Sequence, residues 1–342
     1  MINNKIDSFE YVDNFKKITT VFSIPIICSR LKYIPQVTIA IPTYKRSGLL
    51  KVALDSALNQ ENYDCFDVIV VDNNPERKDD TERLLMTYND CRLSYFKNTS
   101  NVGMAGNWNK LFVLSKSKWV VMLHDDDVLL PNFLQESMSI LEKHSDIGIL
   151  KPSSFKWWSN QNSNIPFVNQ NNRYFRLQRL YDVSNYFGYV LGPPSGCLFS
   201  REKVLTLGGF DQSYYPSIDY YFVVLFSKYY KVYKCNKTLS IYRYSVNESL
   251  KEEVLDAFII QDCFLIDRIL TEYYVPKFIK KIIIGFRVKY WVEKFCKKLN
   301  PQFLYRGNVD YHISPFIGNL SRFFVYIYLF SIRMFKSKLC VL

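Results

Sequence analysis

Lys118-Trp-Val-Val-Met-Leu-His-Asp-Asp-Asp-Val-Leu-Leu-Pro131 is the stretch that decides the fold. Trp119 to Leu123 is a continuous apolar, β-favouring run, the pattern of a central strand buried on both faces of a parallel sheet. It ends in three consecutive carboxylates, Asp125, Asp126 and Asp127. They fall where the strand leaves the sheet, and in open α/β folds that carboxyl end is where ligands bind. Adjacent carboxylates repel one another, and a hard divalent cation relieves the repulsion. Such an ion prefers oxygen ligands and commonly bridges to a substrate's phosphates. One reading is therefore a metal and diphosphate site; the other is a solvated acidic loop that caps the next helix. Pro131 suits a helix start, and Phe133, Leu134, Met138 and Leu141 give Asn132 to Lys143 an apolar face.

Upstream, Val37-Thr-Ile-Ala-Ile41 reads as a strand and Pro42-Thr-Tyr-Lys-Arg46 as the loop at its carboxyl end. With Ser47 as N-cap, Leu49, Leu50, Ala53, Leu54, Ala57 and Leu58 recur at helical spacing. Val68 to Val71 is a second strand, left by the loop Asp72-Asn-Asn-Pro75. Side chains of that kind suit hydrogen bonding to a base or ribose, and equally suit a plain turn. Thr81 to Tyr88 predicts a short helix, Leu93 to Phe96 a third strand, and Asn101 to Asn107 a loop into a helix that runs to Leu114. Gly103 and Gly106 permit close approach or a tight turn, but no Walker GxxxxGK[ST] and no GxGxxG is present. The alternation predicts an α/β protein with a doubly wound, mostly parallel sheet and four exit loops on one edge. Residues 1–36 form an N-terminal extension without strong periodicity, in which Ile18 to Cys28 is apolar enough for an edge strand or short helix.

Downstream of Leu150 the pattern loosens. Trp157 to Arg179, rich in Asn, Gln and aromatics, reads as a long acceptor-side loop or an irregular insertion. Gly192 to Ser200 reads as a turn and short strand, and Arg201 to Leu207 as a helix closed by Gly208-Gly209. A helix from Tyr220 to Tyr229 follows, with Asp219 at its N-terminus beside Ser217. An acid there caps the helix and suits its dipole; it also suits a general base that takes a proton from an attacking hydroxyl. Lys231 to Tyr244 alternates as strand material, and Glu252 to Leu299 is helical in period.

The 342 residues are enough for one α/β domain with a C-terminal extension. The eight cysteines are scattered, with no CxxC pair and no Cys/His metal spacing. They read as reduced structural thiols, which favours a cytosolic setting, and Met1 to Thr20 is too polar and acidic for a secretory signal. Charge is uneven. From Lys277 to Leu342 there are thirteen Lys or Arg against two acids, which accounts for +11 of the net +12. Phe323 to Ile332, uncharged and bounded by Arg322 and Arg333, is too short for a bilayer, which needs about 20 apolar residues. It suits a helix in the headgroup region, held partly by anionic lipid, or a core helix docked on the rest of the chain. Nucleic acid is disfavoured, because no helix-turn-helix, RRM or zinc pattern accompanies the basic surface.

Five motifs taken together, VTIAIPTYKR (37–46), VIVVDNNP (68–75), NVGMAGNWNK (101–110), LHDDDVLLP (123–131) and GGFDQSYYPSIDY (208–220), resemble the family 2 glycosyltransferases with the GT-A fold. The resemblance covers residues 36 to 245. It implies a catalytic domain at 37–245, with a nucleotide-sugar half at 37–131 and an acceptor half at 132–245, followed by a helical, basic region at 246–342. It implies a nucleotide-diphosphate sugar donor, Mn²⁺ or Mg²⁺, and inversion at the anomeric carbon. By position, Pro42, Thr43, Tyr44, Arg46, Asp72, Asn101, Gly103, Asn107 and Asp125 fall to the donor, Asp126 and Asp127 to the metal, and Asp219 to the catalytic base. Three positions depart from the usual pattern: His124 stands where many members carry the first Asp of the metal motif, Ile218 where many carry Glu, and Trp108 where many carry Arg. The further expectation, by analogy with bacterial relatives, is a lipid-linked saccharide acceptor in surface-polysaccharide synthesis at the cytoplasmic face of the membrane. The rivals are a sugar-nucleotide nucleotidyltransferase, which usually wants a glycine-rich, lysine-bearing first loop, and a non-catalytic nucleotide-sugar-binding protein.

Overall fold

The computed structural model describes residues 11–158, 165–169, 174–182, 184, 189–244, 252–298, 320, 323–328 and 331. Its first half follows the alternation in the sequence. Strand β1 (Ser23–Ile27) is followed by β2 (Val37–Thr43), helix α1 (Ser47–Leu58), β3 (Phe66–Asp72), α2 (Asp80–Leu85), β4 (Leu93–Asn98), α3 (Gly103–Leu114) and β5 (Trp119–Met122). Strands β4, β3, β2 and β5 lie side by side and parallel. The β2 and β5 runs are buried along their whole length, as parallel strands covered on both faces must be. One face packs under α1, the other under α3, through two separate apolar layers.

β1 pairs antiparallel with β4 and closes that edge of the sheet. The apolar stretch between Ile18 and Cys28 is thus an edge strand, preceded by a short 3₁₀ turn at Lys16–Ile18. Pro25 sits within it, and an edge strand tolerates a residue that cannot donate to the ladder.

The second half turns the sheet into a mixed one. After β5 come the two-residue strand β6 (Val128–Leu129), α4 (Phe133–Lys143), β7 (Ile147–Trp158), β8 (Leu177–Leu180), β9 (Cys197–Ser200), α5 (Arg201–Thr206), α6 (Ile218–Tyr229) and β10 (Lys231–Tyr244). The ten strands run β1-β4-β3-β2-β5-β9-β7-β10-β6, with β8 also on β10. β9 is antiparallel to both β5 and β7, whereas β7 and β10 are parallel. β7 is far longer than the sequence suggests. Pro152 breaks its ladder, and the register against β10 jumps from Lys151↔Lys234 to Ser153↔Thr238. The pairing then resumes and carries the strand to Trp158, into the stretch that reads as a loop from composition.

Other boundaries shift for local reasons. β2 and β3 extend through Thr43 and Asp72, so residues expected in exit loops are the last rungs of the sheet. α3 begins at Gly103, with φ at +75°, so Gly103 to Asn107 form its first turn instead of a loop. α6 begins at Ile218, which places Asp219 inside its first turn. α5 is closed by Gly208 and Gly209, both at positive φ, and a Cβ on Gly208 would meet the Val12 carbonyl oxygen at 2.1 Å.

The C-terminal helices α7 (Glu252–Glu272) and α8 (Lys277–Lys298) pack on α6. Tyr220, Tyr221, Val224 and Leu225 of α6 meet Leu265, Ile266, Ile269 and Leu270 of α7, Ile283 of α8, and Val325. Asp262, fully buried, accepts from Arg287 Nε at 2.7 Å and from Trp291 Nε1 at 2.8 Å, tying α7 to α8. Of the tail segment, Phe323 to Tyr328 is helical. Val325 faces the packed layer, while Phe323, Phe324, Ile327 and Tyr328 are exposed. The flanking Arg322, Arg333 and Ile332 lie outside the described residues, as do residues 1–10 and most of 159–173. No helix among the described residues is long and apolar enough to cross a membrane.

Candidate active site

Thr43 and Asp72 are register partners at the carboxyl ends of β2 and β3, and the acidic run leaves the neighbouring β5. This shared edge brings most of the predicted residues together. Thr43 Oγ1 donates to Asp125 Oδ2 at 2.8 Å. Arg46 reaches across with one guanidinium nitrogen on Asp125 Oδ1 and the other on Asp126 Oδ2, both at 3.0 Å. Arg46 is therefore part of the acidic cluster from the outset. Tyr44, between them in sequence, has its ring exposed, with the Lys45 ammonium 5.6 Å from the ring centre.

The acidic run is held at both ends. His124 stacks on Trp108 at 5.6 Å, and its backbone N–H donates to Ser195 Oγ at 3.1 Å. Asp127 Oδ1 accepts from the Arg243 backbone N–H at 2.9 Å. β6 follows at once and pairs antiparallel with Ser240 and Ile241 of β10. Burial pushes the Asp125 carboxyl up to about 7, with Arg46 pulling against it. Burial raises Asp127 as well, helped by the neighbouring charge of Asp126. It also drives His124 down to about 4, so the imidazole is neutral near pH 7.

A ligand nitrogen of His124 and one carboxylate oxygen each of Asp126 and Asp127 lie within 4.8 Å of one another. Two atoms of these residues, His124 Nε2 and Asp127 Oδ2, are buried with no hydrogen-bond partner among the described residues. Unpaired buried polar atoms are costly in a low-dielectric interior. A divalent cation would satisfy them and would hold the raised carboxyls ionised, so this donor set fits a metal ion.

Asp72 is fully buried. Its Oδ2 accepts from Tyr95 Oη and Lys97 Nζ, both at 2.9 Å, and its Oδ1 from the Asn74 backbone N–H at 2.9 Å. Lys97 is itself 1% exposed and also pairs with Asp79 at 3.0 Å. The amides of the third loop are engaged with one another. Asn73 Nδ2 donates to Asn101 Oδ1 at 2.7 Å, Asn98 Nδ2 to Asn107 Oδ1 at 3.0 Å, and Asn107 Nδ2 to the Val71 carbonyl at 3.1 Å. Gln212 Oε1 caps the start of α3 by accepting from Ala105 N–H at 2.9 Å, and a Cβ on Gly103 would meet that same oxygen at 2.9 Å. Asp72, Asn101 and Asn107 thus belong to a hydrogen-bonded network at the carboxyl end of β3, where Asp72 is the register partner of Thr43.

Asp219 enters from α6. Its Oδ1 accepts from the Tyr220 backbone N–H at 2.9 Å, and the Tyr189 hydroxyl lies nearby without forming a hydrogen bond of normal geometry. Asp219 keeps some exposed surface, yet burial pushes its carboxyl up to about 7. The buried ammonium of Lys151 links the two halves: His124, Asp127 and Asp219 all feel its charge. Lys151 Nζ is anchored on the Pro193 carbonyl at 3.0 Å and on the Ser195 carbonyl.

Lys151, Ser195 and Arg243 escaped the sequence reading. The available signal was a single lysine inside the apolar run Ile147-Gly-Ile-Leu-Lys-Pro152 and an arginine inside the alternating Ile241-Tyr-Arg-Tyr244. A charge in the middle of a buried strand demands a partner.

This architecture is that of a GT-A glycosyltransferase. The structure of S. aureus TarS 1-349 in complex with UDP-GlcNAc superposes with a TM-score of 0.54 over 78% of this chain and 74% of that one, at 12% identity, a likeness of fold. The chain belongs to glycosyl transferase family 2, whose profile matches residues 38–208, half of its length. An uncharacterized glycosyltransferase of Methanocaldococcus jannaschii is 27% identical over 193 residues, 55% of this chain and 63% of that one. One from Rickettsia typhi is 28% identical over 190 residues, 55% of this chain and 57% of that one. The match therefore spans about three fifths of these relatives' length. A shorter match, 29% over 104 residues, is to an Escherichia coli protein provisionally named a colanic acid biosynthesis glycosyl transferase, WcaA.

Proposed function

We propose that this chain transfers a sugar, with inversion, from a nucleotide-diphosphate donor to a hydroxyl of a saccharide acceptor. The observation that carries this reading is the cluster of Thr43, Arg46, Asp125, Asp126 and Asp127 at the end of the parallel strands, with the charge of Lys151 acting on both Asp127 and Asp219. When bound, a Mn²⁺ or Mg²⁺ ion held by Asp126 and Asp127 would stabilise the charge that gathers on the leaving diphosphate.

The remaining roles fall to the chain itself. Tyr44 offers an exposed ring beside the cluster, suited to stacking on a base or ribose. Pro42, Thr43, Arg46 and Asp125 form the floor for the donor, and the Asp72, Asn101, Gly103 and Asn107 network fixes its depth. Asp219 removes the proton of the attacking hydroxyl; a carboxyl poised near neutrality is suited to that task. Inversion requires the base and the leaving group on opposite faces of the sugar. The acidic cluster on β5 and Asp219 on α6 come from different elements, which suits that division.

We further infer that the acceptor is lipid-linked and that the enzyme works at the cytoplasmic face of a membrane. The basic C-terminal third and the exposed rings of Phe278, Phe323 and Phe324 support this. Screening UDP-, GDP- and dTDP-sugars for release of the nucleoside diphosphate with and without Mn²⁺ or Mg²⁺ tests the central claim. Metal-dependent release with one donor, abolished in Asp126→Ala, is the expected result. No release from any donor supports the non-catalytic binding protein instead.

A further inference from the structure

His124 stands immediately before the acidic run, and its ring is fixed by stacking on Trp108. One of its nitrogens belongs to the same 4.8 Å group as the oxygens of Asp126 and Asp127. Burial and bonding around that group are unusual. Asp127, 2% exposed, uses Oδ1 on the Arg243 backbone N–H and leaves Oδ2 buried without a partner. His124 Nε2 is buried and likewise without a partner. Asp126 accepts from Arg46 through Oδ2. A flat apolar ring would stack on Trp108 equally well, yet this position carries a buried ring nitrogen, Nε2, without a hydrogen-bond partner among the described residues. Its nitrogen beside two carboxylates calls for an electrophile.

We propose that His124 is the third protein ligand of the metal, giving a mixed nitrogen and oxygen donor set that selects Mn²⁺ over Mg²⁺. This rests on the glycosyltransferase reading of the site and deepens it. Mg²⁺ prefers oxygen ligands and gives up its water reluctantly. Mn²⁺ also favours oxygen ligands, but as a first-row transition ion it accepts an imidazole nitrogen more readily than Mg²⁺ does. Three protein ligands would still leave a bound ion open to substrate oxygens and water. An all-carboxylate triad would accept Mg²⁺ and Mn²⁺ more evenly, so the departure at position 124 narrows the choice of ion.

The test uses the full chain with Mn²⁺ and Mg²⁺ salts and no nucleotide. Free Mn²⁺ is followed by electron paramagnetic resonance, Mg²⁺ by its competition, and directly bound nitrogen by spin-echo modulation of the bound ion. The substitution His124→Phe keeps a ring against Trp108 and removes the donor. It is expected to fold with an unchanged melting temperature, to lose the nitrogen modulation, and to bind Mn²⁺ more weakly by about tenfold or more. Mg²⁺ affinity is expected to change much less. His124→Asp, which restores an oxygen donor, is expected to bring the two affinities together. Absence of bound nitrogen in the parent protein, or equal Mn²⁺ affinity in His124→Phe, overturns the proposal. If Asp126→Ala also binds Mn²⁺ as the parent does, the metal site itself is lost, which separates failure of the wider reading from failure of His124.

Discussion

Asp219 carries the most informative single titration. Its folded carboxyl sits at about 7 against an ordinary 3.8, because burial penalises the charge. A base must be ionised to act, so transfer is expected to rise as pH increases through about 7 and to level off above it, read from initial rates under saturating donor. Asp219→Asn should lower kcat by about 10²- to 10⁴-fold while leaving nucleotide binding within about threefold of the parent by titration calorimetry. Unchanged turnover would remove it from the mechanism. Linkage gives an independent check. A raised folded value contributes stability that is complete below 3.8 and lost as pH climbs through about 7. The Asn variant should therefore melt higher than the parent at about pH 8, by about 2–4 °C, and lose that advantage near pH 4. Loss of stability at the proposed base would be the ordinary trade between function and fold.

Among the elements, the buried Arg287–Asp262 pair between α7 and α8 matters most to stability. Arg287 is 3% exposed and Asp262 fully buried. Arg287→Leu strands a carboxylate in the interior and should lower unfolding free energy by about 3–5 kcal/mol, measured in urea; a loss under 1 kcal/mol would refute it. Adding Asp262→Asn should recover part of the loss. The same elements show why the sequence was only partly readable. Strands β2, β3 and β5 announce themselves because the runs Ile39–Ile41, Val68–Val71 and Trp119–Met122 are apolar and buried on both faces. β7 does not, because Pro152 and the polar Ser153-Ser154 interrupt the apolar run where the ladder shifts register. The residues proposed for the donor floor were visible as motif positions, yet their surroundings depend on cross-strand partners. Nothing local foretells that Asp72 is locked by Lys97, twenty-five residues away, or that Lys151 reaches the Pro193 turn.

At the scale of the molecule, positive charge is segregated toward the C-terminal end, where it lies beside exposed rings. With Phe323, Phe324, Ile327 and Tyr328 exposed and Val325 packed inward, the tail helix has one face for the protein and one for a partner. Co-sedimentation with vesicles rich in anionic phospholipid is expected at low ionic strength and should fall several-fold as salt screens the attraction. Failure to sediment at low salt would leave the helix as a docked element only. Replacing Phe323 and Phe324 together by Ser should weaken sedimentation at both salt levels without altering donor hydrolysis.

The N-terminal border of the sheet has its own consequence. Residues 23–27 occupy the free side of β4, and their proline and short length discourage any further chain from joining the array. A protein clipped ahead of Val37 would present a bare rim of unsatisfied amides and carbonyls, a template on which copies stack into insoluble ribbons.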